Sequence, residues 1–125
     1  MKILVVDDEE DVKLLFQQRF RKEIKSGEIE FAFAFSGEAA LIYLAKLNHE
    51  AVLILSDINM PGMSGLELLK EIKQKHKNPP PVVMMITAYG DEENYKMAME
   101  LGADDFLTKP VEFKLLKKKL KELQP

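Results

Sequence analysis

Residues 2–8 read Lys-Ile-Leu-Val-Val-Asp-Asp (KILVVDD), an apolar run rich in Cβ-branched side chains that ends on two carboxylates. The run is too short for a helix and lacks the alternation of a half-exposed strand, so it predicts a strand buried on both faces. Three further runs repeat the pattern: Val52 to Leu55 near Asp57, Val82 to Ile86 into Thr87, and Phe106-Leu107 near Lys109. As parallel strands of one sheet they would bring their carboxyl ends to a common crevice, where open α/β sheets bind ligands. Three carboxylates, a hydroxyl and an ammonium gathered there would suit a divalent cation and a phosphoryl group.

The segments between these runs read as helices. From Asp11 to Lys25, Val12, Phe16, Phe20 and Ile24 recur every four residues with Leu15 beside them, a helix started by Asp8 or Glu9 and stopped by Ser26-Gly27. Glu28 to Phe35 (EIEFAFAF) alternates and predicts a strand nearer the sheet edge. Ser36 can cap a helix over Gly37 to Asn48, with Ala40, Leu41 and Leu44 inward. A strand over Ala51 to Leu55 leads to the loop Asn59-Met60-Pro61-Gly62-Met63, and Ser64 with Glu67 forms a capping box for a helix to about Lys77. Prolines 79 to 81 end it and force an extended entry to a strand over Pro81 to Ile86. Asp91 can cap a helix to Leu101, Gly102 closes it, Asp104 to Leu107 is a short strand, and Glu112 to Leu123 is the last helix. Strand and helix thus alternate five times, which implies one domain over residues 1–125 with a parallel sheet between helical layers.

Bulk properties agree. The chain has 125 residues, 46% of them hydrophobic and 31% charged, enough to bury a core without staples. It has no cysteine, which excludes disulfides and thiolate metal sites and fits a reducing compartment. No apolar stretch approaches the ~20 residues of a membrane span, and no signal peptide is expected ahead of the first strand. The net charge of -3 argues against general nucleic-acid binding. Residues 112–125 carry five lysines against Glu112 and Glu122, a local +3 that leaves -6 for the remainder.

Asp7-Asp8 alone reads equally as a helix cap and as half of a hard-metal site, since adjacent carboxylates repel unless a cation neutralises them. Asp57, with the Asn59 carbonyl two residues on, shifts the balance towards oxygen-rich coordination of Mg²⁺. Thr87 by itself is an ordinary strand residue, although small Ala88 beside it leaves open space. Lys109-Pro110 reads as a charged turn whose peptide can adopt cis and aim the lysine across the strand ends.

ILVVDDE at 3–9, DINMPGMSG at 57–65, ITAYG at 86–90 and GADDFLTKP at 102–110 occur in this order. Together they resemble the response-regulator receiver domains of bacterial two-component signalling, those of single-domain chemotaxis regulators included. The resemblance covers essentially the whole chain. It implies a flavodoxin-like (βα)5 three-layer sandwich with a five-stranded parallel sheet of order 2-1-3-4-5. It implies Asp57 as acceptor of a phosphoryl group from a phosphohistidine on a sensor kinase or phosphotransfer protein, and Mg²⁺ held by Asp7, Asp8, Asp57 and the backbone carbonyl of Asn59. Lys109 would contact Asp57 and then the phosphoryl oxygens, Thr87 would move to hydrogen-bond the phosphorylated form, and Phe106 would rotate with it. Asn59 and Tyr89 are expected to tune the lifetime of the acyl phosphate. The protein would be a cytoplasmic switch rather than an enzyme, acting on a downstream target or output domain, without nucleic acid or membrane contact, and compatible with a phosphorylation-dependent dimer.

Phe106 stands where many relatives have tyrosine, and Val111 where a larger aromatic often follows Lys-Pro. Tyr95, Met97 and Met99 with the terminal lysines fall on the surface that responds to phosphorylation in the family. Ordinary packing for the methionines and a solvated face for the lysines is the reading preferred here. His49 and His76 are expected at the surface without a phosphotransfer role. Two other classes share part of the pattern. An aspartyl phosphohydrolase would need a cap that this chain has no insertion to build, and a nucleotide binder would need the glycines missing after the first strand.

Overall fold

The computed structural model describes residues 1–47, 53–75, 81–88 and 91–123. Its elements are β1 (Lys2–Val6), α1 (Asp11–Arg19), α2 (Arg21–Ser26), β2 (Glu30–Ala34), α3 (Gly37–Ala45), β3 (Leu53–Asp57), α4 (Gly65–Lys75), β4 (Val82–Ala88), α5 (Glu92–Glu100), β5 (Asp105–Lys109) and α6 (Phe113–Leu123). The strands form one parallel sheet of order β2-β1-β3-β4-β5, as the resemblance implied.

The strand period of two divides the core between two layers. Leu4, Val6, Ile54, Val83 and Met85 pack with Ala40 and Leu44 of α3, Leu68, Leu69 and Ile72 of α4, and Ala98 of α5. Ile3, Val5, Leu55, Met84, Ile86 and Leu107 pack on the other face with Phe16, Phe20 and the α6 residues Leu116 and Leu120. Both faces are covered, which explains why the central strands are apolar without alternation. Leu68 and Ile72 are fully buried. Truncating either to alanine is expected to cost about 3 kcal/mol, read from denaturant unfolding.

The caps follow the sequence. Ser36 Oγ accepts from the Ala39 amide at 3.0 Å, Ser64 Oγ from Glu67 at 3.2 Å, and Asp91 Oδ1 from Asn94 at 3.3 Å. Gly27 and Gly102 close α2 and α5 with φ of +80° and +97°.

The helix expected over 11–25 departs from the sequence reading. It starts at Asp11 behind Glu10, with no side-chain cap, and breaks at Phe20, where φ is -108° and ψ 23°. Phe20 stacks on Phe16 at 5.9 Å and meets Phe31 and Phe113 edge-on at 5.1 and 6.0 Å. That cluster holds Phe20 buried at the break, while Ile24 in α2 and Leu15 in α1 are both exposed rather than part of a buried stripe. Met97 and Met99 also prove exposed, so packing does not account for them. Of the α6 lysines, Lys114, Lys118 and Lys121 are exposed as expected, while Lys117 pairs with Glu23 at 3.1 Å and Lys119 with Asp105 at 2.8 Å. His49, His76, Tyr89, Pro79 and Pro80 lie outside the described residues.

Candidate functional site

Asp7 and Asp8 follow the end of β1, while the other chemistry-bearing residues lie inside the ends of their strands. Asp57 is the last residue of β3, Thr87 the penultimate residue of β4 and Lys109 the last of β5. Register aligns them: Asp57 pairs with Ile86, and Ala88 with Lys109. Alternation then puts Asp57 and Lys109 on the face covered by α1 and α6, and Thr87 on the face of α3, α4 and α5.

On the first face, Lys109 Nζ donates to Asp57 Oδ2 at 3.0 Å and lies 3.6 Å from Asp7 Oδ2. Asp7 and Asp57 are buried and Asp8 is exposed. Oxygens of Asp7, Asp8 and Asp57 all come within 4.8 Å of one another. Three carboxylates against one ammonium leave a formal charge of -2 in this cluster, and all the donors are hard oxygens, so the residues fit a divalent cation such as Mg²⁺. The capping alternative for Asp7 is met only in part. Its Oδ1 accepts from the Glu9 amide at 2.9 Å in the turn before α1 but caps no helix.

Burial pushes the Asp57 carboxyl above the ordinary range and Asp7 adds to the effect, outweighing the hydrogen bond and charge of Lys109. Burial would lower the Lys109 ammonium, yet Asp57, Asp7 and Glu9 hold it above its usual value. An ionised Asp57 is therefore a strained charge, relieved by whatever positive charge arrives beside it.

Thr87 is 1% exposed and its Oγ1 has no hydrogen-bond partner among the described residues. Leaving a buried hydroxyl unpaired costs about 1–3 kcal/mol, so this group is free to donate to an acceptor brought within its reach. Phe106 pairs in register with Met85, one pleat back from Thr87 on the same face. Its ring meets Tyr95 edge-on at 4.8 Å. Asn59 is exposed, two residues past Asp57. Val111 packs at the α1 and α6 face, as its packing role required. The Lys109-Pro110 peptide is cis.

Two supports were not singled out from the sequence. Gly65 opens α4 against the end of β3: its amide donates to the Ile58 carbonyl at 2.8 Å, and a Cβ there would stand 2.0 Å from the Asp57 carbonyl oxygen. A glycine at the first position of a helix, where better helix formers abound, was the available signal. Asp104 Oδ2 accepts from Val83 N at 2.8 Å and from Lys73 Nζ at 2.9 Å, tying the start of β4 to α4 and to the turn before β5.

Comparison with known proteins follows the same lines. A model of the response regulator receiver domain matches residues 3–121. The cyclic di-GMP phosphodiesterase of Thermotoga maritima is 36% identical over 120 residues, which are 96% of this chain and 30% of that protein. Transcriptional regulatory protein CpxR of Klebsiella pneumoniae is 38% identical over 109 residues, 87% of this chain and 43% of the relative. The chain thus spans less than half the length of either curated relative. Vibrio cholerae chemotaxis protein CheY4 superposes with a TM-score of 0.80 at 26% identity, covering 98% of this chain and 97% of the other. A sheet of order 2-1-3-4-5, with the acidic cluster and lysine at its carboxyl edge, accompanies a family match over nearly the full length: the chain belongs to the response regulator receiver domain family, the receivers of two-component signalling.

Proposed function

We propose that Asp57 accepts a phosphoryl group from a phosphohistidine on a sensor kinase or phosphotransfer protein, in a Mg²⁺-dependent reaction that resets a partner-binding surface. The observation that carries this reading is the buried Asp57 carboxylate held at 3.0 Å by Lys109 beside the oxygens of Asp7 and Asp8. Asp7, Asp8, Asp57 and the Asn59 carbonyl would hold the cation. Bound there, Mg²⁺ would offset the negative charge that carboxylates and phosphoryl oxygens bring together.

Asp57 supplies the nucleophile. Its carboxylate oxygen forms the new bond to phosphorus as the bond from phosphorus to the imidazole nitrogen breaks, and the histidine leaves with the electron pair and takes up a proton. Transfer of this kind needs positioning and charge compensation more than covalent help, and Lys109 provides both. The unpaired Thr87 hydroxyl can donate to a phosphoryl oxygen. Its movement would open room behind it for Phe106, which carries the change to the Tyr95 side of the sheet. Hydrolysis of the acyl phosphate by an in-line water would reset the switch, with Asn59 and Tyr89 as the tuning side chains.

The reading supports one domain over residues 1–125, a cytoplasmic location, a downstream target or output domain as effector, and a signalling role rather than turnover of a small substrate. No helix among the described residues is long and apolar enough to cross a membrane.

The test is incubation with acetyl phosphate. With Mg²⁺ present the chain should gain one phosphoryl group, mapped to the peptide containing Asp57, and a chelator should suppress the gain. Labelling independent of the cation, or on another residue, would overturn the reading. Asp8→Ala should weaken Mg²⁺ binding severalfold in a titration, since it removes one oxygen ligand and one charge. Steady turnover of a free phosphomonoester would favour the hydrolase alternative instead.

A further inference from the structure

Residues 28–36 read Glu-Ile-Glu-Phe-Ala-Phe-Ala-Phe-Ser, and the β2 strand within them lies at the sheet edge, paired among the described residues with β1 alone. The bonds framing this strand show which residues face that neighbour. The Glu30 amide donates to the Met1 carbonyl at 2.8 Å, and the Ala34 carbonyl accepts from the Asp7 amide at 3.1 Å. Residues 30, 32 and 34 therefore turn their main-chain groups towards β1. Alternation along a strand leaves the amide and carbonyl of Phe31 and Phe33 directed at the open edge. At Ile29 the edge is closed, because its amide donates to the Glu23 carbonyl at 3.1 Å.

We propose that this edge binds the same edge of a second copy of the chain, antiparallel and centred on Ala32, so that the two sheets become continuous. Ala32 is the midpoint of β2. In this register Ala32 meets Ala32, Phe31 meets Phe33 and Glu30 meets Ala34, and the pairing stops short of Ile29, where the edge is closed. No charge faces its own copy, and the aromatic side chains pair with each other, the combination that stabilises cross-strand neighbours. The main chain agrees independently. Phe31 and Phe33 carry the outward groups, so each Phe31–Phe33 pair exchanges two hydrogen bonds and the twofold axis generates the second pair. Ala32, turned inward, falls on the closely spaced pair without hydrogen bonds, where a small side chain fits.

The surroundings leave room for the partner. An open groove of about 600 Å³ runs beside this edge, lined by Gln17, Ile24, Phe31 and Phe33 among others. Ile24 and Phe35 each stay 38% exposed. Glu30, the charged residue of β2, is paired with Lys2 of its own chain at 3.7 Å. The opposite edge, β5, lacks this character, since its Asp105 and Lys109 are committed to Lys119 and Asp57.

The experiment is amide hydrogen exchange on the 125-residue chain across protein concentration, alongside sedimentation equilibrium. The weight-average mass should rise towards that of a dimer, and the Phe31 and Phe33 amides should gain severalfold protection in step with it, while Ala32 stays unchanged. A chain that remains monomeric, or dimerises without protecting these two amides, overturns the proposal. Because the chain has no cysteine, Ala32→Cys adds a single thiol on the twofold axis. It should form a disulfide-linked dimer under mild oxidation, whereas Glu30→Cys should not. Equal cross-linking of the two variants, or cross-linking through Phe33→Cys in place of Ala32→Cys, overturns the register.

Discussion

Asp57→Asn is expected to abolish phosphoryl incorporation while making the metal-free fold more stable. The first half follows from chemistry: the amide has no carboxylate oxygen to form the acyl phosphate, and Asp7 and Asp8 would hold any cation without a nucleophile beside it. Incorporation from acetyl phosphate should fall below detection, and stoichiometric labelling of the variant would refute Asp57 as acceptor. The second half follows from burial. Asp57 is 5% exposed and its pKa is raised in the fold. A raised carboxylate pKa means the folded chain binds the proton more tightly than the unfolded chain, so stability falls as pH rises from the unfolded value through the folded one. At neutral pH the wild type carries that loss and the asparagine variant does not. Its Tm should lie above the wild type without Mg²⁺, by roughly 4 °C for each kcal/mol gained in a domain of this length. Added Mg²⁺ should narrow the gap, because saturating a site a hundredfold above its Kd adds about 2.7 kcal/mol to the form that binds it. Equal Tm values for the two proteins at neutral pH would show that Lys109 already neutralises the burial.

The second large effect is expected at Gly65. The Cβ of Gly65→Ala would stand 2.0 Å from the Asp57 carbonyl oxygen and 2.8 Å from the Ile58 Cα, both main-chain atoms that cannot rotate away. The start of α4 and the end of β3 must separate, breaking the bond from the Gly65 amide to the Ile58 carbonyl. A cost of about 3 kcal/mol or more is expected, at the upper end of overpacking effects. Displacing the main chain of Asp57 should also reduce Mg²⁺ affinity and labelling. Gly27→Ala is the control: its Cβ meets nothing within 4 Å, and the penalty is confined to a φ of +80°, about 1 kcal/mol. Similar unfolding midpoints for the two variants would show that the close approach at Gly65 is not tight.

The buried strands and most helix caps were legible because they are local. Ile3 to Val6 states its two-sided burial through the absence of alternation, and Ser36, Ser64 and Asp91 state helix starts through bonds spanning three residues. The break at Phe20 was not legible. A four-residue stripe continues through it, and only the aromatic contacts from β2 and α6 bend the chain there. Met97 and Met99 show the same limit, since helical spacing does not say whether a neighbouring layer covers a side chain.

At the site the division has the same cause. The sequence alone singled out the chemical set, Asp7, Asp8, Asp57, Thr87 and Lys109, because each falls at the end of a recognisable strand and strand ends in a parallel sheet converge. Tertiary structure decided how the set is divided. Pairing Asp57 with Ile86 and Ala88 with Lys109 puts the carboxylate and the ammonium on one face, within 3.0 Å, and leaves Thr87 on the other with an unpaired hydroxyl. A shift of one residue in either register would exchange those faces. Register is set by hydrogen bonds between strands distant in the chain, so the sheet itself had to be seen.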